Sequence, residues 1–122
     1  MTTTDRAGAD GGAARTDYLL VETGGPSAGP ACERFVGDAV RLAEQDARVT
    51  LLLIENGVAA AVRDAQPEVD ALLRHGGELW VDAFSLRQRA VYADDLVSGA
   101  RVVEMADVAE RLLRPGLMAV WH

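Results

Sequence analysis

The chain has 122 residues, 49% of them hydrophobic, and a formal net charge of −7. This length allows one ordinary domain and is too short for two. An acidic chain without a basic stripe argues against direct nucleic-acid binding, and no apolar run approaches the roughly 18 residues that a membrane span needs. All twelve basic residues are arginine, which excludes catalysis through a Schiff-base lysine or a P-loop lysine.

Cysteine and histidine are scarce. The single cysteine, Cys32, allows no intramolecular disulfide and fits a reducing compartment, so we expect a cytoplasmic protein. The two histidines, His75 and His122, have no second nitrogen or sulfur ligand at a useful local spacing, and we predict no metal site and no cofactor. Residues 1–15 have no apolar signal-peptide core; we expect them to form a disordered tail before a single domain over 16–122.

The first predicted strand is DYLLVET at 17–23, followed by a turn rich in Gly and Pro. A helix is predicted next, because apolar residues recur at intervals of three and four. These apolar residues are Phe35, Val36, Ala39, Val40 and Ala43. The continuous apolar run RVTLLLI at 48–54 is typical of a strand that is buried on both faces.

Two helical pieces are predicted after the polar tip Glu-Asn-Gly at 55–57. They are NGVAAAVRDA at 56–65 and PEVDALLRHG at 67–76. In the second piece, Pro67 fits the first helical turn and Gly76 fits the C-terminal cap.

The third strand is predicted at 78–84 and the third helix at 85–93, where Ser85 and Gln88 have the spacing of a capping box. The remaining segments are a strand at 100–105, a helix at 106–116 and a last strand at 117–122. Strands separated by helices imply parallel pairing with right-handed crossovers. The sequence therefore predicts an α/β fold, a three-layer sandwich around a mainly parallel five-stranded sheet.

Ligand sites of such sheets lie at the carboxyl ends of the strands. Three polar tips occupy this position, at 22–30, 55–57 and 82–85. The two tryptophans, Trp80 and Trp121, lie in predicted strands and are typical of core or interface anchors. Because the terminal strand is apolar and is predicted at a sheet edge, we expect an oligomer.

Three segments in this order and spacing resemble the DsrE/DsrF/DsrH-like family of sulfur-relay proteins, and within it most closely the DsrH/TusB branch. They are LLLIENGVAAAV at 51–62, ELWVDAFSLRQRAV at 78–91 and LMAVWH at 117–122. The match includes Leu86 and Arg89, which are three residues apart, and Trp121 in the last strand. It covers most of 17–122.

The resemblance implies a small flavodoxin-like domain that assembles as trimers or hexamers. It also implies partners, namely DsrE/TusD-like and DsrF/TusC-like chains or further copies of this chain. In the DsrE/TusD branch, a cysteine at the tip after strand three carries a persulfide. TusBCD-type assemblies pass this sulfur toward tRNA thiolation, and DsrEFH-type assemblies serve sulfur oxidation.

This chain departs from the active branch at the tip after strand three. Asp82 and Ser85 stand near the place of the cysteine, and the segment VDAFSLRQRAV contains no thiol. Neither side chain can hold a persulfide, because sulfur transfer requires a thiolate that attacks and then carries the sulfur. The DsrH/TusB branch, whose members are largely supporting subunits, is consistent with this absence.

Cys32 is the candidate catalytic residue that remains. It lies at the start of the first helix, where the N-terminus of a helix favours the thiolate. It also shares an apolar helical stripe with Val36, Ala39 and Ala43, as a core residue would, and the adjacent Glu33 opposes a thiolate. We expect Cys32 to be inert and keep the role of sulfur carrier as an alternative.

Candidate binding residues lie at all three tips. They are Thr23, Gly24, Asn56, Gly57, Asp82, Ser85 and Arg89. The Gly-rich first tip could cradle an anion with backbone N–H groups, and Arg89 could hold an anion such as a partner's persulfide or form a surface ion pair. Asn56 and Gly57 fit a turn with a positive φ at Gly57 or a ligand contact.

We therefore expect a DsrH/TusB-like subunit of a cytosolic sulfur-relay assembly, without independent catalysis, that supplies a scaffold or part of a pocket. One alternative is a stand-alone oligomeric module of the same fold that binds a small anion at the tips. The other is a sulfur carrier that uses Cys32.

Overall fold

A computed structural model describes residues 15–122, so the predicted tail lies, except for residue 15, outside the described part of the chain. The strands are β1 (Asp17–Glu22), β2 (Arg48–Leu53), β3 (Glu78–Asp82), β4 (Ala100–Val103) and β5 (Leu117–Trp121). The α-helices are α1 (Pro30–Glu44), α2 (Pro67–Arg74), α3 (Ala83–Gln88) and α4 (Met105–Leu112). Short 3₁₀ helices cover Pro26–Ala28, Glu55–Ala61 and Ala93–Asp95.

The five strands form one sheet in the order β4-β3-β2-β1-β5, and every neighbouring pair is parallel. The chain moves outward from β1 to β4 and then returns to place β5 on the other side of β1. The predicted α/β fold with a mainly parallel five-stranded sheet is confirmed, and β5 lies at a sheet edge as expected. Among residues 15–122, no helix is long and apolar enough to cross a membrane.

The two faces of the sheet are covered unequally. Helices α1 and α2 pack on the first face over a large apolar core that includes Val36, Leu51 and Leu72. The second face has a smaller cluster, to which α4 contributes Val108. The members of this cluster are Leu19, Val21, Leu52, Trp80, Val103 and Val108. The second face is therefore thinly covered.

The predicted limits of α2 are confirmed, since Pro67 lies in its first turn and Gly76, with a φ of 87°, follows its end. The helical piece predicted at 56–65 is confirmed only up to residue 61. A 3₁₀ helix ends at Ala61, and Val62 is extended and forms an antiparallel bridge with Leu96. The bridge draws the backbone out of helical conformation at this point.

The capping box predicted for Ser85 and Gln88 is also wrong. Helix α3 begins at Ala83, directly after β3, and its N-cap is Asp82, whose carboxyl group accepts a hydrogen bond from the backbone N–H of Ser85. Ser85 therefore lies inside the first turn. The strand passes into the helix with no intervening loop, so the last residue of the strand provides the cap.

Gly57 is needed for a reason other than the predicted one. The residue with a positive φ at this tip is Glu55, at 54°, and Gly57 does not have a positive φ. A Cβ atom at Gly57 would lie 2.1 Å from the backbone oxygen of Glu22, far inside van der Waals contact. The second tip is thus packed so tightly against the end of β1 that only glycine fits.

Replacement of Gly57 by alanine should therefore destabilise the fold. We expect Gly57→Ala to lower the free energy of unfolding by about 1–3 kcal/mol, because backbone atoms must move to admit the methyl group. Gly37→Ala is the matched control: its Cβ would meet only the Arg41 guanidinium, at 3.8 Å. In helix α1 it should be neutral or stabilising by up to about 1 kcal/mol. Urea unfolding measures both, and equal midpoints for the two variants would contradict the close approach.

Candidate functional site

The three polar tips meet at the carboxyl edge of the sheet. The backbone N–H of Ile54, at the end of β2, donates to the backbone oxygen of Glu22 at 3.1 Å. The backbone N–H of Glu55 donates to the hydroxyl of Ser85 at 2.8 Å. These bonds connect the first tip to the second and the second to the third, so the edge predicted from the strand order is one continuous surface.

Glu22 lies at the centre of the first tip and is fully buried. Its Oε2 accepts hydrogen bonds from the backbone N–H groups of Gly24, at 2.9 Å, and Gly25, at 3.0 Å. Its Oε1 lies 2.7 Å from Nδ1 of His122, whose ring stacks on Phe35 with 4.8 Å between the ring centroids. A buried carboxyl group needs such partners, because burial without hydrogen bonds is costly.

The pairing of Glu22 with His122, which are 100 residues apart, was not predicted from the sequence. The local signal was Glu22 itself, a carboxyl group directly after a buried strand and directly before a glycine-rich turn. His122 carried no local signal, since only the pairing of β1 with β5 brings the two side chains together.

Thr23 and Gly24, predicted to bind a ligand, use their polar groups within this first tip. The backbone N–H and the hydroxyl of Thr23 both donate to the backbone oxygen of His122, at 3.0 and 2.8 Å. The N–H of Gly24 is directed to Glu22. These bonds hold the tip in place, and a ligand-binding role for the two residues stays a prediction.

Cys32 lies beneath the first tip and is 0% exposed, as its place on the apolar stripe of α1 predicts. Its Sγ is 3.6 Å from the amide oxygen of Gln66. The pKa of the thiol is raised from 9.0 to about 12, first by burial and then by the charge of Glu22, a hydrogen bond to Glu22 and the charge of Glu68. The geometry favours a protonated, shielded thiol.

The third tip is a hydrogen-bonded turn around Asp82. Its Oδ2 accepts from the backbone N–H of Ser85 at 3.0 Å and from the Ser85 hydroxyl at 2.6 Å. Asp82 is 4% exposed, and its Oδ1 has no hydrogen-bond partner among the described residues. The Ser85 hydroxyl thus donates to Asp82 and accepts from Glu55, which gives both predicted residues a structural task.

Arg89 connects the second and third tips at the surface. Its Nε donates to the side-chain oxygen of Asn56 at 3.0 Å, and one terminal nitrogen lies 3.4 Å from the backbone oxygen of Ser85. Arg89 and Asn56 are both exposed, and Gly57 beside them is buried. The guanidinium and the amide form a polar, solvent-facing pair that could contact an anion or a partner chain.

The predicted residues therefore fall into two groups on one edge. Thr23 and Gly24 surround Glu22 and His122 above the buried Cys32. Asn56, Asp82, Ser85 and Arg89 form the second group, and Gly57 packs between the two. Within the described part of the chain, no three His, Cys, Asp or Glu side chains are grouped as metal ligands would be.

No protein-family model matches the sequence, and a comparison with curated proteins gives no match. Solved structures match at the level of the fold. The ychN protein of E. coli has 15% identity and a TM-score of 0.78, with 88% of this chain and 99% of that chain covered. A protein of unknown function from Methanobacterium thermoautotrophicum has 18% identity and a TM-score of 0.71, with 87% and 99% covered.

A conserved protein of unknown function from Bacteroides thetaiotaomicron has 15% identity and a TM-score of 0.69, with 87% of this chain and 95% of that chain covered. Identities this low show the fold alone. The fold class is thus the DsrE-like, flavodoxin-like α/β type that the sequence resemblance implies. The resemblance to the DsrH/TusB branch stays a prediction.

Removal of the Ser85 hydroxyl should weaken the third tip. We expect Ser85→Ala to lower the free energy of unfolding by about 1–3 kcal/mol, because it removes one of the two hydrogen bonds to the Asp82 carboxyl group and leaves the Glu55 N–H without its partner. Ser27→Ala removes one exposed hydrogen bond to Gly24 and should change stability by less than about 0.5 kcal/mol. Chemical denaturation measures both variants. An unchanged free energy of unfolding in Ser85→Ala would contradict the stabilising role of the Ser85 hydroxyl.

The raised pKa of Cys32 should make stability fall at alkaline pH. The folded chain retains the thiol proton up to about pH 12, whereas the unfolded chain loses it near 9.0. The free energy of unfolding therefore decreases between these values, by up to about 1.4 kcal/mol per pH unit. Urea unfolding at pH 8 and pH 10.5 should show a smaller decrease for Cys32→Ala than for the wild type. Parallel decreases would show that the thiol is accessible.

Proposed function

We propose that this chain is a non-catalytic, pocket-forming subunit of a cytosolic sulfur-relay assembly of the DsrH/TusB-like kind. The observation that carries the proposal is the tip after β3, where Asp82, Ser85 and the Glu55 N–H occupy the position at which a relay cysteine is expected. The only thiol of the chain, Cys32, is buried below a different tip. A thiol supplied by a partner would complete the site.

In this proposal, the chain's own residues hold and orient a sulfur-carrying group without forming a bond to it. Arg89 is exposed and fixed by Asn56, so its remaining N–H groups can stabilise the negative charge of a partner's thiolate or persulfide. Asp82 and Ser85 keep the loop below Arg89 in one conformation. The acceptor, in tRNA thiolation or in sulfur oxidation, would be selected by the rest of the assembly.

Exposed apolar side chains on β5 and α4 support assembly with other chains. Trp121 is 63% exposed and Met118 is 54% exposed on the edge strand, and Leu113, just after α4, is 83% exposed. Exposed apolar side chains on and near an edge strand are typical of an interaction surface. We propose that this surface binds DsrE/TusD-like and DsrF/TusC-like chains or further copies of this chain in a trimer or hexamer.

A second candidate is a stand-alone oligomer that binds a small anion at the same tips, without sulfur chemistry. Arg89 favours this candidate too, because its side chain has an amide partner at 3.0 Å and no carboxylate partner among the described residues. A third candidate, sulfur transfer through Cys32, would require the core below the first tip to open.

Native mass spectrometry tests the proposal. The full chain is analysed alone and co-expressed with a DsrE-like and a DsrF-like chain of the same genome, before and after treatment with a cysteine desulfurase plus cysteine. We expect a hetero-oligomer in which the mass of one sulfur atom is added to a partner and not to this chain. Arg89→Ala should slow loading of the partner by about tenfold, and the neighbouring Arg87→Ala should not.

Two results would overturn the proposal. A sulfur increment on this chain that disappears in Cys32→Ser would make it a carrier. A clean homo-oligomer that excludes both co-expressed chains would support the stand-alone module.

A further inference from the structure

We infer that the amino edge of the sheet, opposite the candidate site, binds a small oxyanion of the phosphate or sulfate type. A cavity of about 340 Å³ lies there, a volume at the lower end of the range for ligand pockets. Four arginines line it, from three parts of the fold: Arg15 before β1, Arg48 at the start of β2, and Arg111 and Arg114 in and after α4. This inference does not depend on the function proposed above.

The sheet register explains why polar residues gather at this edge. Asp17 pairs with Arg48 across β1 and β2, and Thr50 pairs with Glu78 across β2 and β3. All four residues precede the apolar cluster on the second face of the sheet and line the cavity. The end of α4 and the turn after it contribute Arg111 and Arg114 to the same cavity. The second face is therefore apolar toward the carboxyl edge and polar toward the amino edge.

Some of these charges neutralise each other. Arg111 lies 3.3 Å from Glu78, and Arg114 lies 3.1 Å from Asp17. Arg15 is 3.6 Å from Asp46. Arg48 has neither a salt bridge nor a side-chain hydrogen bond among the described residues. Three of the four lining arginines are thus paired with a carboxyl group, and Arg48 is left without one. A bound oxyanion would supply the negative partner that Arg48 lacks.

Arg111 is held in a fixed orientation before any ligand binds. Its guanidinium lies over the ring of Trp80, 4.3 Å from the centroid, and donates to the hydroxyl of Thr50 at 2.6 Å. Thr50 is 3% exposed and Trp80 is also 3% exposed, so both partners are anchored in the sheet. An arginine fixed in this way loses little conformational entropy when it binds an oxyanion through its remaining N–H groups.

Trp80 also provides a reporter for the test, because Arg111 contacts its ring directly. The chain has two tryptophans, and Trp121→Phe leaves Trp80 as the only one. The fluorescence of this variant is measured during titration with inorganic phosphate and with sulfate, against chloride at the same ionic strength. We expect a saturable change with phosphate and sulfate, accompanied by a rise in melting temperature, and no saturable change with chloride.

Matched arginine variants in the Trp121→Phe background locate the site. Arg48→Ala removes a side chain without an internal partner, so the fold should be retained, and we expect it to weaken phosphate binding by about tenfold or more. Arg34→Ala, an exposed position on α1, should bind as tightly as its parent. Tighter binding of ribose 5-phosphate than of inorganic phosphate would identify a phosphate-bearing metabolite as the ligand class, and equal binding would identify the free ion.

The inference is overturned if the arginines serve only to attach α4 to the sheet. In this case phosphate and chloride would give the same response, or Arg48→Ala and Arg34→Ala would bind phosphate equally well. Circular dichroism of each variant verifies that a loss of binding is not a loss of fold.

Discussion

The buried carboxyl group of Glu22 organises the edge of the sheet on which the candidate site lies. Its two side-chain oxygens bind the first tip through Gly24 and Gly25 and the last strand through His122. Its backbone oxygen accepts from Ile54 and lies against Gly57. Because a buried polar group is stable only with its partners present, these segments must take their positions together. The first tip, the second tip and β5 therefore form one unit.

The third tip is organised by a second buried carboxyl group, that of Asp82. Both Glu22 and Asp82 are connected by hydrogen bonds to the second tip. The Ser85 hydroxyl connects Asp82 to the backbone of Glu55, one residue after Ile54 has bonded to Glu22. The edge is thus a continuous hydrogen-bonded frame from β1 to α3. A frame of this kind holds Arg89 and Asn56 at the surface in a defined geometry, as a supporting or binding role requires, whereas the thiol of Cys32 is enclosed below it.

The functions that we propose lie in different regions of the sheet. The carboxyl edge carries the tips, the edge strand and α4 carry exposed apolar side chains, and the amino edge carries the arginine-lined cavity. The polar amino half of the second face exists because Asp17, Arg48, Thr50 and Glu78 align in the sheet. Arg111 pairs with Glu78 and Arg114 pairs with Asp17. These ion pairs help to hold α4 on the sheet, because this short helix buries little apolar surface.

The order of the elements, the parallel sheet, the limits of α2 and the absence of a thiol after β3 could all be predicted from the amino-acid sequence, because apolar periodicity, caps and residue identity are local. The sequence also placed Cys32 on a core stripe and three tips on one edge. Four features could not be predicted before the fold was known: the pairing of Glu22 with His122, the close approach at Gly57, the cap at Asp82 and the contact of Arg111 with Trp80. These interactions join strand ends and helices that are distant in sequence, and no local pattern records which distant side chains the sheet register will bring together.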